Sequence, residues 1–201
     1  MPVAKDDAAG PVHHQHAVQF YENELSLYTT VAGFLGQGLV DGQPAILIST
    51  DAHRDAILLH LEGRHIDVTT ALRTGDLVVL EVHEALRQFM KSDMPGAAAF
   101  DALLGAVIDR TLRGRSKQTM VRAYGEMVDV LWKENKPDAA VRLEMLWNKL
   151  AMRYGFALLC GYAMGNFYKE TERFEEICRQ HAYIVPPQPA AWPLAPTYTV
   201  G

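Results

Sequence analysis

The sequence predicts an α/β domain: a mainly parallel central sheet of about five or more strands, with helices on both faces. Two observations carry this reading. Strand-like and helical segments alternate along the chain, the pattern of a parallel sheet with helical crossovers. Pro44–Ser49 (PAILIS) and Phe156–Tyr162 (FALLCGY) are also apolar nearly throughout, as strands covered on both faces are. Crossovers between such strands should be right-handed.

Each element has its own signal. Residues 1–15 form a polar leader, expected to be disordered. Ala17–Phe20 is a short apolar run and the first strand. Glu24–Val40 is helical: Leu25, Tyr28, Val31, Phe34 and Leu35 recur at helical spacing, Asn23 caps it and Asp41-Gly42 ends it. Gly33, Gly36 and Gly38 fall inside this helix and point to close helix packing. After PAILIS, Thr50 or Asp51 caps a helix that runs through Leu61 and stops at Gly63. A short helix over His65–Leu72 leads through Gly75-Asp76 into a strand at Leu77–Val82. A helix over Ala97–Leu112 follows Pro95-Gly96. Next come a strand at Thr119–Tyr124, a short helix, a long helix at Asp138–Arg153 and the strand Phe156–Tyr162. A last helix spans Phe167–Gln180. The tail 186–201 holds half of the chain's ten prolines and is expected to be extended or disordered, leaving 16–185 as the folded domain.

The stretch Lys117–Met164 carries the polar candidates. Its first strand ends on Arg122, Ala123, Tyr124, Gly125 and Glu126. In the long helix Glu144 and Asn148 are spaced i, i+4 and share one face. Open α/β sheets bind ligands at the carboxyl ends of their strands, so this is where a polar pocket is expected. An unpaired guanidinium in a central strand is costly, so Arg122 should meet Glu22, Glu126, Glu144 or an anionic ligand.

Composition narrows the function classes. A net charge of −5 and a pI near 5.9 speak against direct nucleic-acid binding, which runs on basic patches. No apolar run approaches a membrane span, and the opening residues lack the apolar core of a secretory signal. Cys160 and Cys178 make no disulfide framework, and the expected setting is the cytoplasm with reduced thiols.

The element order resembles a RecA-like, KaiC-like three-layer sandwich, in which the first strand feeds a phosphate-binding loop. Here that strand runs into Gln19-Phe20-Tyr21-Glu22-Asn23-Glu24. There is no glycine or lysine to cradle phosphate, and two carboxylates repel it. No nucleotide or other cofactor is implied. The signatures GxSxG and HExxH are absent as well, so no enzyme is expected. Glu126 and Glu144 could act as paired carboxylates, but no nucleophile or metal is placed with them.

Five segments in order, HAVQFYEN (16–23), RAYGEM (122–127), LEMLWN (143–148), LLCGY (158–162) and EICRQH (176–181), resemble the MEDS domain, the methanogen/methylotroph, DcmR sensory domain. The resemblance implies a sensory module with a KaiC/RecA-like fold and no ATPase loop, associated with small hydrocarbon-derived signals. The chain shows no kinase motif and no helix-turn-helix, so the resemblance implies a standalone domain whose output needs a partner kinase or transcription regulator. The ligand-binding candidates are Tyr21, Glu22, Arg122, Glu126, Glu144 and Asn148. Each has a plainer reading. Arg122 and Glu126 could form an internal ion pair, Glu144 and Asn148 a solvated helix face, and Tyr21 and Glu22 a strand end. Trp132 and Trp147 read as core.

No metal site is assigned. Cys178 and His181 are neighbours on the last helix and His16 could join them in space, but a closed zinc site needs four ligands. His13 and His14 in the leader have no supporting groups in view. The alternative to a ligand-binding sensor is a ligand-free interaction scaffold acting as a homodimer; a homodimer is the expected assembly.

Overall fold

A computed structural model describes residues 15–166 and 171–185. In chain order its elements are β1 (Gln15–Tyr21), α1 (Glu24–Val40), β2 (Ala45–Ser49), α2 (Asp51–Glu62), α3 (Val68–Thr74), β3 (Leu77–Glu81) and α4 (Val82–Phe89). Two-residue strands β4 (Met90–Lys91) and β5 (Met94–Pro95) precede α5 (Ala97–Leu112). Then follow β6 (Arg122–Gly125), α6 (Met127–Lys133), α7 (Pro137–Tyr154), β7 (Ala157–Ala163), a 3-10 turn (Met164–Asn166), α8 (Thr171–Gln180) and β8 (Tyr183–Val185).

The caps are chemical. Asn23 Oδ1 accepts from the Ser26 amide at 2.8 Å and starts α1. Thr50 Oγ1 accepts from the His53 amide and starts α2. Pro137 opens α7 at a position where its missing N–H costs nothing, and Gly155 closes that helix in the left-handed conformation.

The main sheet has six strands in the order β3-β2-β6-β7-β1-β8, and every pairing in it is parallel. The side-chain period of two sorts its residues between two cores. Val18, Ile46, Ile48, Ala123, Leu158 and Tyr162 pack with α4–α8 on one face. Ala17, Leu47, Tyr124 and Leu159 pack with α1–α3 on the other. Helices therefore cover both faces. Trp132 and Trp147 are buried in the first core, as expected.

Several elements differ from expectation: α3 begins at Val68 rather than His65, β6 at Arg122 rather than Thr119, the β4–β5 pair was not foreseen, and two larger changes involve the sheet. The stretch Leu77–Val82 ends as a strand at Glu81, whose carboxylate accepts from the His83 and Glu84 amides and opens α4. Val82, Ala85, Leu86 and Phe89 then form that helix's buried stripe. At the other edge, Tyr183–Val185 adds a sixth strand beside β1. Expectations for residues 1–14, 167–170 and 186–201 lie outside the described residues. Of the three α1 glycines, Gly36 and Gly38 do mark close packing. A Cβ at Gly38 would fall 2.6 Å from Arg122 Cδ, whereas one at Gly33 meets nothing within 4 Å.

Candidate functional site

From β2 the chain moves outward to β3; from β6 it moves the other way, to β7. β2 and β6 are neighbours, so the sheet reverses its winding between them. The helices that follow diverge accordingly: α2 buries Ile57 and Leu61 on one face, and α6 buries Met127 and Val128 on the other. Such a point leaves a crevice outside the carboxyl ends of the two strands.

Glu126, immediately after β6, occupies that crevice and is buried. Its Oε1 accepts from the Thr50 amide at 2.5 Å, and its Oε2 lies 2.5 Å from His53 Nδ1 and accepts from Tyr124 Oη at 3.3 Å. His53 Nε2 faces Glu24 Oε1 at 3.7 Å. Beside them Asp129 accepts from Tyr21 Oη at 3.2 Å and from the Ala163 amide at 2.9 Å, and pairs with Lys133 Nζ at 2.7 Å. Thus Asp129 ties the ends of β1 and β7 to α6. A cavity of about 220 Å³ opens here, lined by Thr50, His53, His83, Glu126, Asp129 and Lys133 among others. It adjoins a second hollow of about 400 Å³, with which it shares His83 and Glu134, and which adds Leu86, Met90 and Leu131.

The hydrogen bond to Glu126 raises the pKa of His53 despite its burial. Its proton is therefore held more tightly in the fold than in the unfolded chain. That contribution to stability is fully present below the ordinary histidine value of about 6.5 and is lost as pH rises through the raised one. The unfolding free energy of the wild type should thus fall across that window more than that of His53→Gln, which urea titrations at successive pH values would show. Burial and the neighbouring Asp129 push the Tyr21 hydroxyl up, so Tyr21 stays a donor.

A second polar cluster lies within the sheet–α7–α8 core. Glu144 is fully buried. Its Oε2 lies 3.2 Å from His16 Nε2 and accepts from Cys160 Sγ at 3.5 Å. Its Oε1 lies 3.4 Å from His181 Nε2 and accepts from Tyr162 Oη at 2.9 Å. His16 Nε2 is also 3.3 Å from Cys160 Sγ. Burial works against the Glu144 charge, yet the two imidazoles hold its carboxyl well below the usual range. Burial lowers the pKa of His16, and burial with the adjacent carboxylate pushes the Cys160 thiol up.

The structure thus divides the residues the sequence grouped. Tyr21 and Glu126 share the carboxyl-edge crevice. Glu144 and Asn148 do share one helix face, but that face is turned inward to His16, not to solvent. Glu22 is exposed. Arg122 meets none of Glu22, Glu126 and Glu144. It opens β6, in register with Ala45 and Ala157, the first residues of the adjoining strands, a full strand away from the crevice. There it donates to Gln43 Oε1 at 2.7 Å and to the Phe34 carbonyl at 3.0 Å, with Asp41 3.7 Å away. Burial lowers its pKa, and Asp41 opposes this. Arg122→Met should therefore cost about 1–3 kcal/mol by removing the buried donors that Gln43 Oε1 and the Phe34 carbonyl accept from. Its effect should add to that of Glu144 variants, since the sites share no partner; thermal melts of the single and double variants check this.

His53, Thr50, Asp129 and Lys133 were not among the sequence candidates. Thr50 was visible only as a helix cap, and the others sit in helices whose inward faces depend on the sheet order. Cys178 is absent from the buried cluster: the group around His16 and His181 is completed by Glu144 and Cys160. No helix among the described residues is long and apolar enough to cross a membrane. No curated protein matches the chain. Residues 15–182 match the family model of the MEthanogen/methylotroph, DcmR Sensory domain, a match that spans both clusters and every strand of the main sheet but β8. With that coverage, the chain belongs to the MEDS family of sensory domains.

Proposed function

We propose that the chain binds a small-molecule signal in the carboxyl-edge crevice and relays its presence to a partner kinase or transcription regulator. The observation that supports this most is the reversal of sheet winding between β2 and β6, with Thr50, His53, Glu126, Asp129 and Lys133 gathered at its mouth. The crevice is polar at this end and continues into a hollow where Leu86, Met90 and Leu131 stand among polar groups such as Arg87, Asp93 and Lys136. Its volumes suit a molecule of few heavy atoms, a short hydrocarbon with a polar head. His53 and Lys133 offer donors to the head, and Glu126 and Asp129 hold both side chains in place. Asp129 also holds the end of β7, so a ligand that competes for Lys133 acts on the start of the segment leading to α8. We read the fold as a RecA/KaiC-like core whose phosphate loop is replaced by Glu22-Asn23-Glu24, with the Asn23 side chain spent on capping α1.

The test is amide chemical-shift mapping with a panel of short-chain alcohols, amines and carboxylates. At least one should shift residues at Thr50–His53 and Glu126–Lys133. Lys133→Met leaves the buried Asp129 its Tyr21 and Ala163 donors, so it should cost no more than about 1–3 kcal/mol while weakening that response. If no compound shifts the crevice, and native mass spectrometry of protein from its own source finds no bound molecule, the scaffold reading takes its place.

A further inference from the structure

We infer that His16, Glu144, Cys160 and His181 form a buried four-ligand site for one divalent transition-metal ion of the zinc class. Four observations carry this.

The first is geometric. One donor atom from each residue lies within 4.8 Å of every other. The pairs among His16 Nε2, Glu144 Oε2 and Cys160 Sγ run from 3.2 to 3.5 Å, and His181 Nε2 lies 3.4 Å from the other carboxylate oxygen, Glu144 Oε1. Tetrahedral edges built from metal–nitrogen and metal–oxygen bonds of about 2.0–2.1 Å and a metal–sulfur bond of about 2.3 Å come to roughly 3.3–3.6 Å.

The second concerns the rings. The carbonyl of Ile177, 2.8 Å from His181 Nδ1, can only accept, so Nδ1 carries the hydrogen. Asn148 Nδ2 donates to the Gln180 carbonyl at 3.1 Å, which turns Asn148 Oδ1 toward His16 Nδ1 at 2.9 Å; that nitrogen also donates. Both rings therefore point Nε2 inward, each with its outer nitrogen held by an acceptor. This is the support that metal-bound histidines have.

The third is what the inward nitrogens meet. His181 Nε2 faces Glu144 Oε1 and is buried without a hydrogen-bond partner, and His16 Nε2 faces both Glu144 Oε2 and Cys160 Sγ. Protons on both rings would set two imidazolium ions against one carboxylate, with ring centroids 4.1 Å apart. A single divalent ion satisfies all four donors instead.

The fourth is charge. On binding, the Cys160 thiol releases its proton to solvent and sulfur coordinates as thiolate. Two positive charges on the metal then balance one thiolate and one carboxylate, beside two neutral imidazoles. The site is neutral, as a site with no exposed ligand side chain on His16, Glu144 or His181 needs to be. The donor set of nitrogen, sulfur and oxygen with no open position suits a structural ion.

His181 reaches the site from the end of α8, so the ion is sealed in only when that helix docks. The experiment therefore refolds the full chain from denaturant with Co²⁺ or Zn²⁺, in a His13→Ala/His14→Ala background that removes the leader's own chelators. After gel filtration, mass spectrometry should find one metal per chain. The cobalt protein should show tetrahedral d–d bands in the visible and a thiolate charge-transfer band in the near ultraviolet. Cys178→Ser should leave both unchanged. Cys160→Ser should abolish the charge-transfer band and weaken metal retention at least tenfold. Folded protein that retains no metal overturns the assignment, as does a charge-transfer band that follows Cys178. Because the first readout needs only the two leader substitutions, a Cys160 variant that fails to fold leaves the assignment testable.

Discussion

Glu144→Ala is expected to lower the unfolding free energy by about 3–5 kcal/mol, the cost of removing one partner from a buried charged network. The carboxylate sits among His16, His181, Tyr162 and Cys160, and none of these has solvent to turn to. Removing it takes away the oxygen that accepts from the Tyr162 hydroxyl at 2.9 Å and leaves the His181 Nε2 facing a void. The loss should not be uniform. α8 and β8 touch this cluster through His181, so residues 173–185 should lose hydrogen-exchange protection before the β2–β6–β7 centre does. Glu144→Gln keeps the volume and one acceptor oxygen and should lose less. Urea denaturation with exchange mass spectrometry reads both effects. A Glu144→Ala protein as stable as the wild type would mean that the carboxylate is solvated.

Glu126→Ala should be the second most damaging change. One carboxylate takes three protein donors: the Thr50 amide, His53 and Tyr124 Oη. Each buried donor left unmade costs about 1–3 kcal/mol, and the three share one acceptor, so a total of about 3 kcal/mol is expected. Glu126→Gln separates folding from recognition. It retains an acceptor for the Thr50 amide and should recover much of the stability. It removes the charge that raises the His53 pKa, so that value should drop toward ordinary. Histidine ring NMR across pH 5–9, about the span in which imidazoles titrate, would follow it. In the same protein the shift response to the small amphiphile should be lost.

Much of the architecture was legible because the signals were local. PAILIS and FALLCGY are buried on both faces and read as strands from composition alone. Asn23 and Thr50 cap as their side chains dictate. α4 is a different case: Val82, Ala85, Leu86 and Phe89 show the helical period, but no glycine or proline separates them from the strand before. The boundary is made by the Glu81 side chain, whose capping role shows only once the helix is there. The polar residues were recognised singly, and only some were grouped as the fold groups them. Arg122 and Glu126 are four residues apart in sequence yet lie at opposite ends of β6. A strand carries neighbours in sequence apart by about 3.3 Å per residue, whereas a helix brings i and i+4 together. That is why Glu144 and Asn148 were paired correctly and Arg122 and Glu126 were not. His53 joins Glu126 only because β2 and β6 are adjacent, and strand order is the quantity that local patterns do not encode.

The first strand has a consequence for synthesis. β1 pairs on one side with β7, Gln15 opposite Ala157, and on the other with β8, Ala17 opposite Tyr183. Among the described residues, then, the earliest strand to leave the ribosome has no sheet neighbour until the last part of the domain has emerged. At about 5–20 residues per second, roughly 7–27 seconds separate Tyr21 from Ala157, and over that span Ala17, Val18 and Phe20 lie on an edge without their β7 neighbours. Such long-range closure slows folding and leaves an aggregation-prone edge exposed. Chains released early, before β7 is complete, would carry that edge permanently, and they are the species a cell's chaperones would have to hold.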